Sequence, residues 1–501
     1  MTDFSQVKQL LATGALSKAH ALLVAALKKD VAHCEAWSYM AELNLLAGDK
    51  VKALNIIKKA LSLSPPLSIA LHLAKTALHA SDFLLCQNIL ESKQAMLNSA
   101  CDNASQLDLS ANLWLRLNQP YRALAQFEKA HQLASDSAAI TLNYAICLKM
   151  AGDTTTAKAL LEKVIDLQPM LSLAHLSLAE LSAKSNNTLP TQLTNALSHE
   201  PKDQYLNHAK ALYHEANADY EKAWTCFNHS KQHNKNQVHF DTLAHQAYCD
   251  SIIAASHLPS DLSQLTVNNS ISPIFIVGMP RSGTSLLEQL LATQDTIKAL
   301  GELSFIPQLM AVKPGFYKQA KQLFTKAAEL ILNQYSQCFA REITSSPAAH
   351  AIDKQPFNIY FVDIILALFP NAKIVWLVRD KFDTCIGNFR QAYQANSPFH
   401  HYSYDWQHIN HFYDDIVRLG EHWCSKYPNQ FLRINYESLV QQPKAQLTAV
   451  FQFLNLTQTT ESLDFYKKDY FSATASKVQL RQPLNTQSIG KYSGIYPLPN
   501  N

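Results

Sequence analysis

The chain has 501 residues, enough for two or three domains at roughly 150 residues each, so a seam is expected before a site. Its 43 Lys and Arg against 40 Asp and Glu give a net charge of +3, too balanced for the footprint of nucleic-acid or anionic-membrane binding. No apolar run reaches the roughly 20 residues of a membrane span, and Met1 to Ser5 lack the basic and then apolar pattern of a secretory signal, so a soluble, cytoplasmic protein is expected. The nine cysteines form no Cys-x-x-Cys pair and no zinc-type spacing, which predicts reduced thiols and no metal. Of the 11 glycines, three precede residue 270 and eight follow it, although the first part is the longer; the two parts differ in kind.

Residues 1–235 read as amphipathic helices with a period. Small residues recur 34 apart at Ala19 and Ala53, and again at Ala123 and Ala157, with a looser copy at Cys86, 33 after Ala53. Pro65 and Pro169 each follow their alanine by 12 and stop a second helix, while Gly48 with Asp49 and Gly152 with Asp153 mark turns. This pattern resembles the tetratricopeptide repeat family, in which a helix pair buries its apolar face only by stacking on its neighbours. Trp37, Tyr39, Leu43, Leu54 and Leu61 then read as packing residues. Segments around Ala196 and from Tyr220 to Ala223 read as degenerate copies, for six or seven units. The resemblance implies an all-α solenoid whose groove holds a peptide or protein partner. His229 with His233 has helical spacing but no acidic third ligand nearby, and for this pair as for His400 with His401 surface or capping roles are expected.

Residues 236–272 are assigned as a connecting segment: from residue 250 the helical period is lost and Ser, Asn and Thr accumulate. Residues 273–496 follow as an α/β domain. The apolar strand Pro273 to Val277 runs into a loop, Gly278 to Ser285, and then the helix Leu286 to Leu291. Such a loop points backbone N–H groups and the positive end of the helix at one spot, which favours an anion. The loop adds Arg281, Ser282, Thr284 and Ser285 but no Walker lysine, which argues against ATP or GTP and for another phosphate ester. A second strand, Ala372 to Val378, ends at Arg379, off the same carboxyl edge of a parallel sheet. Two anion sites imply a ligand with two separated phosphates. Between them, Ala351 to Asn358 is another strand-like end, carrying Lys354, and a later strand spans Phe431 to Asn435.

In order, the segments PIFIVGMPRSGTSLLEQLL, GELSFIP, DKQPFN, KIVWLVRDKFDTC, FLRINYESLVQQP and RQPLNTQSIGKYSG resemble the sulfotransferase family over about residues 270–495, in particular its protein-tyrosine branch and the bacterial tetratricopeptide–sulfotransferase arrangement. The resemblance implies a P-loop-like α/β fold with a central parallel sheet, and 3′-phosphoadenosine 5′-phosphosulfate (PAPS) as donor, without a metal. Pro280, Arg281, Ser282, Gly283, Thr284 and Ser285 would hold the 5′-phosphosulfate, and Arg379 the 3′-phosphate. The family's usual serine eight residues after that arginine is Gly387 here; its own N–H, Thr384 or Asn388 could substitute. Glu302 matches a general base and Lys354 a cation on the leaving oxygen. Arg481 and Lys491 are expected near the donor, with Ser488 a weaker candidate, and His400 and His401 are expected to shape the acceptor pocket or simply to face water. The activity implied is sulfuryl transfer to an acceptor hydroxyl, phenolic if the Glu302 match holds. The alternative is a non-catalytic scaffold whose nucleotide site has lapsed, for which Gly387 is the support.

Overall fold

A computed structural model describes residues 4–99, 101–183, 187–232, 234–254, 272–303, 305–310, 331–336, 338–339, 350–458, 460–467 and 481–496. The chain forms two compact units, Met1–Cys147 and Leu148–Asn501. In the first, Leu16–Lys29 follows Ser5–Ala12, Cys34–Leu46 pairs with Lys50–Ser62, Leu67–His79 with Phe83–Ser92, and Ala104–Arg116 with Pro120–Leu133. The small residues of the period, Ala19, Ala53, Cys86 and Ala123, each sit in the first turn of the second helix and are 0 % exposed. A larger side chain there would hold packed helices apart. The turn inside the pair also repeats: Gly48 at φ 86° and Ser81 at φ 66° take the left-handed conformation. The Asp49 and Asp82 carboxylates then accept from the N–H of Lys52 and of Leu85, each at 2.9 Å, capping the second helix. Tyr39 and Leu43 are buried; Trp37, Leu54 and Leu61 are half-buried.

The second unit begins inside the helix Ala138–Ala151 and continues with Thr154–Leu167, Ser172–Ser182, Thr191–His199, Gln204–Ala216 and Tyr220–Gln232. Ala157, Ala196 and Ala223 are again buried. Instead of ending at residue 235, the helical part continues: the expected connecting segment contains the helix Thr242–Ala254, which buries Cys249 and Ile252 and packs on the helix Trp406–Lys426. The Ser- and Asn-rich residues 255–271 lie outside the described residues. The helices preceding residue 235 are bound tightly into this unit. Trp224 lies 4.5 Å from the ring of Phe389, and the Lys231 ammonium donates to the Gln391 carbonyl at 2.5 Å.

Among the described residues five parallel strands form the sheet: β1 (Ile274–Gly278), β2 (Ile297–Ala299), β3 (His350–Asp353), β4 (Lys373–Val378) and β5 (Phe431–Asn435), in the order β2-β3-β1-β4-β5. β1 is buried along its whole length, as its unbroken apolar run requires when both faces are covered. Leu287, Leu290 and Leu291 of the helix Thr284–Leu291 pack with Ile276, Val375 and Leu377. The helix Trp406–Lys426 approaches β4 so closely that a Cβ on Gly420 would lie 2.3 Å from the Trp376 indole. From β1 the chain moves to β2 and β3 on one side and β4 and β5 on the other. The carboxyl end of β1 is therefore a switch point, where an open parallel sheet leaves room for a ligand.

Candidate functional site

The loop after β1 is shaped by close packing. Gly278 (φ 148°) has the Leu377 carbonyl 2.6 Å from where a Cβ would stand, and Gly283 (φ 103°) has the Tyr436 ring at the same distance. Between them Arg281 adopts φ 70°, a left-handed conformation that costs a non-glycine residue free energy. The outer side of the loop is pinned by Asn388, whose amide donates to the Pro280 carbonyl at 2.7 Å and whose oxygen accepts from Tyr402 at 2.8 Å. Thr284 and Ser285 begin the helix and are buried, as is Ser282, whose hydroxyl has no hydrogen-bond partner among the described residues. Burial pulls the Arg281 guanidinium below its ordinary range, and the charges of Arg390 and Arg379 push the same way, an environment that an anion would relieve.

Arg379 follows β4. Its guanidinium donates to the Ser488 carbonyl, pairs with Asp383 at 3.2 Å and lies 4.6 Å from the Tyr436 ring centroid. Arg281, Gly283, Arg379, Tyr436, Ser488 and Lys491 line one cleft of about 250 Å³, closed on one side by residues 482–485. Both anion sites expected from the sequence thus open into a single space. Arg481 does not join them: its guanidinium turns to the Ala151 carbonyl at 2.7 Å. Gly387 faces the loop from the helix Lys381–Phe389, and a Cβ there would stand 3.1 Å from that of Arg281. Of its expected substitutes, Thr384 donates its hydroxyl to the Asp380 carbonyl at 2.8 Å and Asn388 is engaged by Pro280 and Tyr402.

A second constellation lies where β2 and β3 end. Lys354 is 0 % exposed and donates to Glu302 at 2.5 Å, while the Glu302 side chain is 46 % exposed. Burial alone would lower the Lys354 ammonium, but the Glu302 and Glu288 carboxylates outweigh it and hold it above the ordinary lysine range. The loop carrying Glu302 is clamped from three sides. Glu288 accepts from the Gly301 N–H at 3.0 Å, the Gly301 carbonyl from the Lys354 N–H at 2.9 Å, and Asp353 from the Leu303 N–H at 3.2 Å. Asp353 also accepts from Tyr335 and, at 3.0 Å, from Asn358. Burial pushes its carboxyl up to about 7 although all three donors pull it down. Glu288 and Asp353 escape sequence reading because their partners are remote in the chain.

His400 faces this constellation. Its ring stacks on Tyr393 at 4.1 Å and meets the edge of Phe357 at 5.4 Å. Burial pushes it down to about 4 against the charge of Glu302, so the imidazole is neutral and weakly basic at neutral pH. His401 is held by backbone instead, its Nε2 2.7 Å from the Ala395 carbonyl. His229 is exposed, and His233 lies outside the described residues. One group among the described residues has metal-ligating side chains together, His245, Cys249 and Asp415. Both imidazole nitrogens are already engaged there, with Asp415 at 2.7 Å and Tyr360 at 2.8 Å, and burial holds Cys249 as a thiol.

Residues 273–461 match the family model described as "Sulfotransferase family". An uncharacterized protein of Aquifex aeolicus (strain VF5) is 25 % identical over 361 residues, 69 % of this chain and 47 % of that one. The protein-tyrosine sulfotransferase of Drosophila melanogaster is 25 % identical over 260 residues, 46 % of this chain and 48 % of the relative. The chain thus spans about half the length of either. The solved sulfotransferase domain of the Synechococcus PCC 7002 olefin synthase is 18 % identical, covering 46 % of this chain and 90 % of its own, with a TM-score of 0.34. The α/β part of the chain thus resembles the sulfotransferase family, and it is preceded by helix pairs that resemble tetratricopeptide repeats.

Proposed function

We propose that the protein transfers a sulfuryl group from PAPS to an acceptor hydroxyl. The observation that carries this reading is the pairing of Glu302 with a fully buried Lys354 in a domain whose β1 and β4 ends hold Arg281 and Arg379 in one cleft. PAPS carries anionic groups at both ends. The 5′-phosphosulfate fits the loop, where Arg281, Thr284, Ser285 and the helix N-terminus supply positive charge and donors, with Pro280, Ser282 and Gly283 shaping the turn. The 3′-phosphate fits Arg379, with Lys491 at the mouth. Charge grows on the oxygen between sulfur and phosphorus as that bond breaks, and Lys354 is the cation to meet it. Glu302 takes the acceptor proton, and Tyr393, Phe357 and His400 give the acceptor side an aromatic lining suited to a phenol such as tyrosine. With Lys354 turned to the donor, the Glu302 carboxylate is free to accept from the acceptor hydroxyl. No metal has a part in these steps. The packing of Gly387 against Arg281 supports a retained donor site over a lapsed one.

A peptide or protein acceptor is supported by a cleft of about 640 Å³ in the first unit, lined by Glu91, Gln94, Asn98, Tyr121, Arg122 and Gln126. The Gln126 carboxamide is 4 % exposed and neither of its polar atoms has a hydrogen-bond partner among the described residues. It offers one acceptor and two donors, which suit the acceptor and donor of a peptide unit. Cytoplasmic residence belongs to the same proposal, with all nine cysteines as thiols.

The test is calorimetric titration with adenosine 3′,5′-bisphosphate, the desulfated donor, beside ATP. Micromolar binding lost in Arg379→Ala, with none to ATP, is expected; absence of binding in the wild type sinks the donor assignment. Glu302→Ala at saturating donor is expected to lower turnover about 10²- to 10⁴-fold, the usual scale of general-base loss. Full turnover in that variant removes Glu302 from the mechanism.

A further inference from the structure

Residues 481–496 cross the donor cleft and are tied down at both ends by the repeat helices of their own unit. Resting on the donor reading above, the geometry points to Glu215, a residue of a repeat helix, as the anchor that positions this strap over the donor. At the near end, Arg481 donates to the Ala151 carbonyl at 2.7 Å. In the middle, the strap supplies Ser488 and Lys491 to the cleft wall, the Ser488 carbonyl accepts from Arg379, and the Gly490 N–H donates to Asp383 at 2.8 Å. At the far end, the Tyr496 hydroxyl donates to Glu215, on the helix Gln204–Ala216, and the other oxygen of the same carboxylate accepts from Arg390. Tyr492 completes the anchor, its ring 4.7 Å from the Arg390 guanidinium, and Tyr496 lies 5.7 Å from Trp224.

The anchor is buried and satisfied. The side chains of Glu215 and Arg390 are 13 % and 17 % exposed, and Tyr492 and Tyr496 are each 7 % exposed. A buried carboxylate that accepts from both a guanidinium and a phenol is expensive to leave half-paired, so it holds the strap in one place. Arg390 lies on the segment just after the helix carrying Gly387, and its charge reaches Arg281 in the loop. Glu215 therefore does two things for the donor site although it touches no donor atom. It fixes the wall that carries Ser488 and Lys491, and it neutralises a cation that would otherwise add to the repulsion around Arg281. Donor affinity is then set in part by the repeats.

Full-length Tyr496→Phe and Glu215→Gln test this, by calorimetry with adenosine 3′,5′-bisphosphate and by amide exchange. Both are expected to weaken binding about tenfold, as when the competent arrangement falls from dominant to about a tenth of the population. Exchange should quicken at Gly490 while the amides of β4 keep their protection. Asp250→Asn is the control: it breaks the exposed Arg418 pair between other elements of the same unit and is expected to leave binding unchanged. Wild-type affinity in Tyr496→Phe overturns the anchor, and that variant decides the matter if Glu215→Gln fails to fold. A wild type that binds no bisphosphate overturns the donor reading itself, an outcome distinct from wild-type affinity in the variants.

Discussion

A methyl group at position 387 has almost no room. It would stand 3.1 Å from the Cβ of Arg281, a residue already in a left-handed conformation and tied into a loop that Asn388 pins. Sequence comparison makes the serine expected here look like a lost donor ligand. The structure makes the glycine the residue that lets Arg281 take its place. Gly387→Ser is therefore expected to weaken binding of adenosine 3′,5′-bisphosphate about 5- to 150-fold, because overpacking of this kind commonly costs about 1–3 kcal/mol. Tighter binding in the titration would mean the hydroxyl was missed after all. At this scale the charged candidates were legible because an arginine after a glycine turn, or a lysine at a strand end, advertises itself. Arg481 misled for the same reason: its charge and its nearness to the motif are in the sequence, whereas its turn towards the Ala151 carbonyl is a matter of tertiary packing.

Among elements, the repeats show how a regular structure hides in an irregular text. The pairs turn alike, but only two of those turns use glycine before aspartate; Ser81, Asn118 and Ala218 take the same left-handed conformation without it. β2 has three residues, too few for any alternation to show, and the helix Thr242–Ala254 is recognisable only through its contact with the helix Trp406–Lys426. The end of β3 carries a testable consequence. In the unfolded chain Asp353 ionises near pH 4, whereas in the fold it holds its proton to about 7. Between those values the native state binds the extra proton, so this carboxyl's contribution to stability is full below pH 4, declines as pH rises, and is gone above about 7. Asp353→Asn is expected to flatten that decline in a plot of Tm against pH. It should also lower turnover, because Leu303 and the loop bearing Glu302 lose their carboxylate clamp. An unchanged pH profile would show that Asp353 is ionised throughout.

For the molecule as a whole, the useful boundary is the one between compact units, at Cys147 and Leu148. A chain cut at 235, the end of the repeats expected from the sequence, would leave Arg390 without Glu215, Phe389 without Trp224 and Gln391 without Lys231. Breaking a buried pair alone costs about 3–5 kcal/mol, a large share of a domain's net stability. A polypeptide starting at Leu148 is expected to unfold cooperatively and to bind the bisphosphate as the full chain does. One starting at residue 236 is expected to aggregate or to lose binding. Equal behaviour of the two in urea unfolding and titration would show the last helix pairs to be dispensable. The family resemblance was legible at this scale because the motifs stand in order, whereas the contacts that tie the last repeat helices to the α/β part were not, since they join residues more than 150 positions apart.

The distribution of thiols has a practical side. Cys86, Cys101 and Cys147 are buried in the first unit, and Cys226, Cys249 and Cys385 in the second, while Cys34, Cys338 and Cys424 are half-buried. Burial raises the thiol in each unit, Cys86 to about 12 in the first and Cys385 higher still in the second, so neither forms the reactive thiolate until its surroundings open. Each unit thus carries three built-in reporters, and pulsed alkylation read by peptide mass would time the opening of one unit separately from the other with no label introduced.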